Sequence, residues 1–194
     1  MSAKKKTEQQ KLYFIAIVPP SPAFKEALAL KHYFKEKFQS KASLNSPPHI
    51  TLHMPFKWRE DKEKSLINSL EVFFEGKDPI AVHLTNFGAF PPRVIFIGVE
   101  KNDELTGLQL ALMRFCKKEF QLFNSNYRDL PFHPHLTLAF RDLKKHNFAE
   151  AWQEFSQREF ESQFISNTVV LLKHTGKEWL AHHWFALQPQ TVVH

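Results

Sequence analysis

The chain has 194 residues, 43% hydrophobic and 24% charged, a mix that excludes a disordered, collagen-like or disulfide-stapled polypeptide and fits one globular domain. Only 5 Gly weigh against a glycine-rich nucleotide-binding architecture, and no apolar run is long enough to cross a bilayer. The formal charge of +6 sits in the first half, where residues 1–97 hold 15 Lys/Arg against 9 Asp/Glu; residues 98–194 hold 11 of each.

Residues 1–10 form a polar, basic tail, and residues 11–190 are expected to form the single domain. The run LYFIAIV (12–18) predicts a buried strand; it ends at Pro19-Pro20 with no small-residue cleavage site, so it is not read as a signal peptide. Ser21 is expected to cap a helix that starts at Pro22 and continues to about 39 on Phe24, Leu28, Phe34 and Phe38. A strand is predicted over 49–56, then a charged helix over 60–76 with Leu66, Leu70 and Phe73 or Phe74 on one face. A hairpin follows, 80–88 and 93–99, broken at Phe90-Pro91-Pro92. Next come a helix over 104–123, a strand over 134–140, a helix over 145–158, and strands over 164–173 and 178–187 that turn at Thr175-Gly176. The order is β-α-β-α-β-β and then α-β-α-β-β, so the second half repeats the first without its opening strand.

The letters repeat as well. Pro48-His49-Ile50-Thr51-Leu52 and Pro134-His135-Leu136-Thr137-Leu138 each precede a helix and then a hairpin. From the chain's own composition, one H-x-T-L is expected roughly 0.05 times by chance, so two copies are not accidental. The pattern predicts an α+β fold of two lobes, about 11–100 and 101–190, related by a pseudo-twofold axis. In an extended segment His49 and Thr51 share one face and Ile50 and Leu52 the other; His135 and Thr137 do the same. The apolar pairs belong to a core. The two His/Thr pairs then meet across a cleft between the lobes.

Two imidazoles and two hydroxyls suit phosphoryl chemistry without a metal. One neutral ring takes a proton from the attacking oxygen while the other, protonated, gives one to the leaving oxygen. The Thr hydroxyls donate to the non-bridging oxygens, where transition-state charge gathers. A basic half favours anionic partners, such as RNA, nucleotides or membrane surfaces.

These residues make the chain resemble the 2H phosphoesterase superfamily, most closely its bacterial 2′-5′ RNA ligase-like group, which is defined by two H-x-[TS]-x motifs (here HITL at 49–52 and HLTL at 135–138). LYFIAIVPP looks like the family's first strand and FPPRVIFIGV (90–99) like its aromatic-Arg-hydrophobic strand. The resemblance covers about residues 11–187. It implies a bilobal, pseudo-symmetric fold with two mainly antiparallel sheets and flanking helices around a central cleft. It also implies cofactor-free opening of a 2′,3′-cyclic phosphate, on an RNA end or a nucleotide, to a 2′-phosphate, with 2′-5′ ligation as the reverse direction. Carried over, His49 and His135 are the acid/base pair, with His49 protonating the leaving oxygen, and Thr51 and Thr137 hold the phosphate. The family often has Arg soon after its second motif. Here Ala139-Phe140 intervene, the strand phase turns Arg141 away, and Arg93 remains as the candidate phosphate partner.

His53 and His133 fall on the motif faces and are candidate pocket-lining residues, so four imidazoles near one cleft leave a zinc hydrolase open as an alternative. A nucleotide- or RNA-binding protein without turnover is a second alternative. The single Cys116 excludes an intramolecular disulfide and suits a reducing cytoplasm. A monomer that does not associate with membranes is expected.

Overall fold

The computed structural model describes residues 9–123 and 131–189. The basic stretch of residues 1–8 and the last five residues lie outside them. Eight strands and four α-helices alternate along the described chain: β1 (Gln10–Ile17), α1 (Ala23–Phe38), β2 (Ile50–Arg59), α2 (Glu63–Phe74), β3 (Ile80–Phe90), β4 (Val94–Val99), α3 (Asp103–Phe120), β5 (His135–Ala139), α4 (Lys145–Phe155), β6 (Glu161–Ser166), β7 (Thr168–His174) and β8 (Trp179–Ala186). Short 3-10 turns occupy Ala42–Asn45 and Glu60–Lys62.

The helices follow their apolar stripes. α1 buries Ala23, Ala27, Phe34 and Phe38, spaced to fall on one face, and Lys31 lies within that same stripe. Its N-cap is Pro22 rather than Ser21, and no side chain caps it. α3 starts properly capped, with the Asn102 side chain accepting from the Leu105 amide at 2.7 Å. Both α1 and α3 stop on a left-handed glutamine, Gln39 and Gln121, each with φ 55°. The repeat therefore extends to how its helices end. Phe34 of α1 meets Phe155 of α4 at 4.6 Å between ring centres, and Tyr33 donates to Glu154 at 2.7 Å, which locks the two helices together.

All strand pairings are antiparallel, and the strands form one curled sheet in the order β6-β3-β4-β5-β2-β1-β7-β8. The two sheets implied by the resemblance are its four-stranded halves, joined at the centre by a single residue pair, Ile50 with Leu136. Those halves are not the consecutive lobes 11–100 and 101–190. One contains β1, β2, β7 and β8, the other β3, β4, β5 and β6. The physical reason is that each hairpin pairs into the opposite half: β4 lies against the motif strand β5, and β7 against β1, which flanks the motif strand β2. The stretch read as one strand over 164–173 is accordingly two. β6 pairs with β3 and β7 with β1, so the chain crosses between halves at Asn167.

The main core fills one face of the sheet, under the helices, with Tyr13, Ile15, Ile17, Ile50, Leu52, Leu136 and Leu138 all at most 1% exposed. Burying each such side chain contributes about 1.5–3 kcal/mol. A small second cluster on the other face joins Phe14, Ala16, Val170 and Leu172. That second face carries the site.

Candidate active site

The central pair positions everything else. Ile50 and Leu136 are partners across the antiparallel β2–β5 junction, and both are fully buried on the core face. Extending that register by one residue sets His49 opposite Thr137 and Thr51 opposite His135, all four on the other face. Directly opposed residues have Cβ atoms about 4.5–5.5 Å apart. The pseudo-twofold axis therefore runs through the Ile50–Leu136 pair, and each histidine faces the threonine of the other motif. His49, Thr51, His135 and Thr137 line one cleft of about 400 Å³, a size suited to a small ligand.

Both rings are held the same way. His49 Nδ1 lies 2.7 Å from the Pro47 carbonyl and His135 Nδ1 lies 2.7 Å from the His133 carbonyl. A carbonyl only accepts, so each Nδ1 carries the hydrogen and each Nε2 is left bare when the ring is neutral. Each ring also rests on a phenylalanine from the adjoining strand: His49 on Phe14 of β1 at 4.8 Å, and His135 on Phe96 of β4 at 4.9 Å. Each phenylalanine is backed in turn by a further ring at 4.7 Å, Trp179 behind Phe14 and Phe90 behind Phe96. Among the described residues neither threonine hydroxyl has a protein hydrogen-bond partner, so both are free to donate into the cleft.

Burial disfavours the imidazolium at both positions. It pushes His49 down to about 4, helped by the positive charge of Lys31. His135 is also lowered, by burial, against the opposing hydrogen bond to the His133 carbonyl.

A bulge follows each motif and explains where the flanking residues go. Ile15 and Ala16 are consecutive on β1 but face His53 and Thr51, two apart on β2. Ile95 and Phe96 face Ala139 and Thr137 in the same manner. The extra residue reverses the alternation. His53, expected on the motif face, turns into the core beside Ile15, where it is 2% exposed with Nε2 unpartnered. Met54 and, in the second copy, Phe140 line the cleft instead. The second bulge also reverses the expectation for Arg141: with φ 49° just beyond β5, it lines the cleft.

Arg93 is exposed on the turn between β3 and β4 and is not among the cleft-lining residues. His133 is exposed with its ring 6.2 Å from that of His135, and its carbonyl is the part that engages the site. The four-imidazole set is not assembled, and among the described residues no three His, Cys, Asp or Glu side chains are grouped to hold a metal ion.

Sequence reasoning missed Lys31, Ser43, Phe14, Phe96 and Arg141. Lys31 had a readable signal, as a lysine in register with the apolar stripe of α1. Phe14 and Phe96 become visible only once β1 and β4 are known to be equivalent neighbours of the two motif strands.

A model of the 2′-5′ RNA ligase superfamily matches residues 19–178. Curated proteins named "Putative phosphoesterase" from Bacillus mycoides (strain KBAB4) and Bacillus cereus (strain ATCC 10987 / NRS 248) are each 30% identical over 145 residues, covering 73% of this chain and 79% of theirs. Among solved structures, E. coli LigT complexed with 3′-AMP superposes with a TM-score of 0.68 at 19% identity, covering 93% of this chain and 99% of that one. TT0787 of Thermus thermophilus gives 0.64 at 18% identity, covering 93% and 100%. With the two motifs on opposed central strands and the fold shared, the chain belongs to the 2′-5′ RNA ligase superfamily of 2H phosphoesterases.

Proposed function

We propose that this phosphoesterase opens 2′,3′-cyclic phosphates, on RNA ends or nucleotides, to 2′-phosphates by two-histidine acid–base catalysis without a metal. The observation that carries the reading is the matched pair of rings. Each has Nδ1 tied to the carbonyl two residues back and Nε2 bare in a cleft lined by Thr51 and Thr137.

The chemistry balances on those groups. His135, neutral, accepts a proton from water at Nε2 as the water oxygen bonds to phosphorus. His49, protonated at Nε2, gives its proton to O3′ as the P–O3′ bond breaks, leaving a 2′-phosphate and a free 3′-hydroxyl. Thr51 and Thr137 donate to the non-bridging oxygens, whose charge grows in the transition state. The anion also opposes the burial that depresses both rings, so substrate helps to charge the acid. With a 5′-hydroxyl in place of water, His135 takes the hydroxyl proton as its oxygen bonds to phosphorus and His49 protonates the departing O3′, which leaves a 2′-5′ linkage. Arg141 adds positive charge at the cleft, and Arg93, exposed on the β3–β4 turn, is not part of its lining.

Nucleotide complexes of E. coli LigT, with 3′-AMP and with ATP, support a nucleotide or RNA substrate class. The test is the rate of His49→Ala and His135→Ala on a 2′,3′-cyclic phosphate in the presence of EDTA. Each substitution is expected to lower the rate by about 10² to 10⁴. A variant that keeps near wild-type turnover removes that histidine from the mechanism.

A further inference from the structure

Lys31 is 1% exposed, in the middle of α1. Its Nζ donates to the carbonyls of Ser43 at 2.8 Å and Ser46 at 3.0 Å, which uses two of its three hydrogens. Among the described residues no carboxylate pairs with it, and burial alone drives its titration away from normal. Ser43, in the turn it holds, is 2% exposed and its Oγ has no partner. A buried ammonium without a counter-ion and a buried hydroxyl without a partner are both costly. The contacts of the fold leave one ammonium hydrogen of Lys31 and the Ser43 hydroxyl unused. Both residues line the cleft that holds His49 and His135.

We infer that Lys31 and Ser43 form an anion subsite in the wall of the cleft, binding phosphate oxygens of the ligand through the third ammonium hydrogen and the free hydroxyl. The inference rests on reading the cleft as a phosphate-ester site.

The surroundings favour an anion there. From the loop after β5, the Asp142 carboxylate is already committed to Ser40 Oγ and the amides of Lys41 and Ala42. From α4, Glu154 is paired with Lys37. Just before β2 and at the start of β5, His49 and His135 are held neutral by burial, and Arg141 adds a positive charge. Among the described residues no negative group is paired with Lys31. Burial holds its ammonium down to about 7, and a bound anion restores the charged form.

The phosphate could be the reacting group or a second phosphate on the same substrate. Adenosine 2′,3′-cyclic monophosphate and its 5′-phosphorylated form distinguish these sources, with KM and kcat measured for wild type, Lys31→Met, Lys31→Arg and Ser43→Ala. Lys31→Met is expected to raise KM about tenfold to a hundredfold, the loss of a charge-assisted hydrogen bond. Ser43→Ala is expected to raise it about threefold to tenfold, and Lys31→Arg to recover part of the Lys31→Met loss. An effect on both substrates assigns the reacting phosphate; an effect confined to the 5′-phosphorylated one assigns its neighbour. In wild type, KM should also rise as pH climbs above about 7 and Lys31 loses its proton, a dependence absent from Lys31→Met.

A purely structural lysine predicts a different pattern. Ser43→Ala removes no hydrogen bond of the folded protein, so it carries the test alone should Lys31→Met not fold. If Ser43→Ala and any folded Lys31 variant keep KM within about twofold on both substrates while His49→Ala abolishes turnover, the subsite is refuted and the catalytic reading stands. If wild type turns over neither nucleotide, the nucleotide arm of the catalytic reading fails, and sulfate titration decides the subsite. Sulfate binding weakened at least about tenfold in Lys31→Met or threefold in Ser43→Ala supports it, and unchanged binding in both overturns it.

Discussion

Replacing Lys31 by methionine measures what a buried ammonium costs this fold. The group titrates near 10.5 in the unfolded chain and at about 7 in the folded protein. Between those values the unfolded chain holds the proton and the folded one does not, so stability rises with pH by about 1.4 kcal/mol per unit. Integrated from about pH 7.5 to 9.5, the gain in wild type is about 2.5 kcal/mol. The variant has no such group. It leaves the Ser43 and Ser46 carbonyls without their donor, at about 1–3 kcal/mol each, but that loss does not depend on pH and cancels in the comparison. Titrations shared by the two proteins, such as those of Tyr13 and Lys173, cancel as well. Urea unfolding of both proteins at the two pH values gives the double difference. A value of about 2–3 kcal/mol, with wild type gaining more, is expected. A value below about 0.5 kcal/mol refutes the claim that Lys31 is buried without a counter-ion.

Three further outcomes follow from the geometry. Because His49 is pushed down to about 4 and His135 is also lowered, the free enzyme holds its acid's proton only on the acidic side. The kcat/KM profile should peak below about pH 6.5 and fall as pH rises; a profile still climbing at about pH 8 contradicts the assignment. Thr51→Val and Thr137→Val should each lower kcat by about 10², since each removes a donor to the non-bridging oxygens, with little change in melting temperature; unchanged kcat removes the threonine from that role. A Cβ at Gly88 would collide with the Phe96 ring, which supports His135. Gly88→Ala should therefore cost about 1–3 kcal/mol in urea unfolding and also lower kcat, and a variant unaffected in both would detach Phe96 from the site.

The doubled motif was legible because period-two alternation and its repetition are properties of the letters. Ile50 and Leu136 sit on the core face and His49, Thr51, His135 and Thr137 line the cleft, as that alternation predicts. Alternation also fails at a definable place. One extra residue in β2 turns His53 into the core, and the matching bulge in β5 brings Arg141 to the cleft. Nothing in either segment marks a bulge, since Leu52-His53 and Leu138-Ala139 read as ordinary strand. The exchange of hairpins between halves was hidden for another reason. A hairpin's own sequence fixes its turn and its internal register, whereas its outer neighbour depends on long-range packing. Lys31 is the exception that could have been read. Its spacing from Ala23, Ala27, Phe34 and Phe38 puts it on the buried face of α1 by helical period alone.

The central claim is metal-free opening of a cyclic phosphate toward the 2′ side. The most direct measurement is the product formed from a short RNA ending in 2′,3′-cyclic phosphate, incubated with wild-type protein in excess EDTA and resolved by phosphorus NMR. The account predicts a terminal 2′-phosphate formed at the same rate with and without chelator. A 3′-phosphate product, or activity that disappears with EDTA, would contradict it.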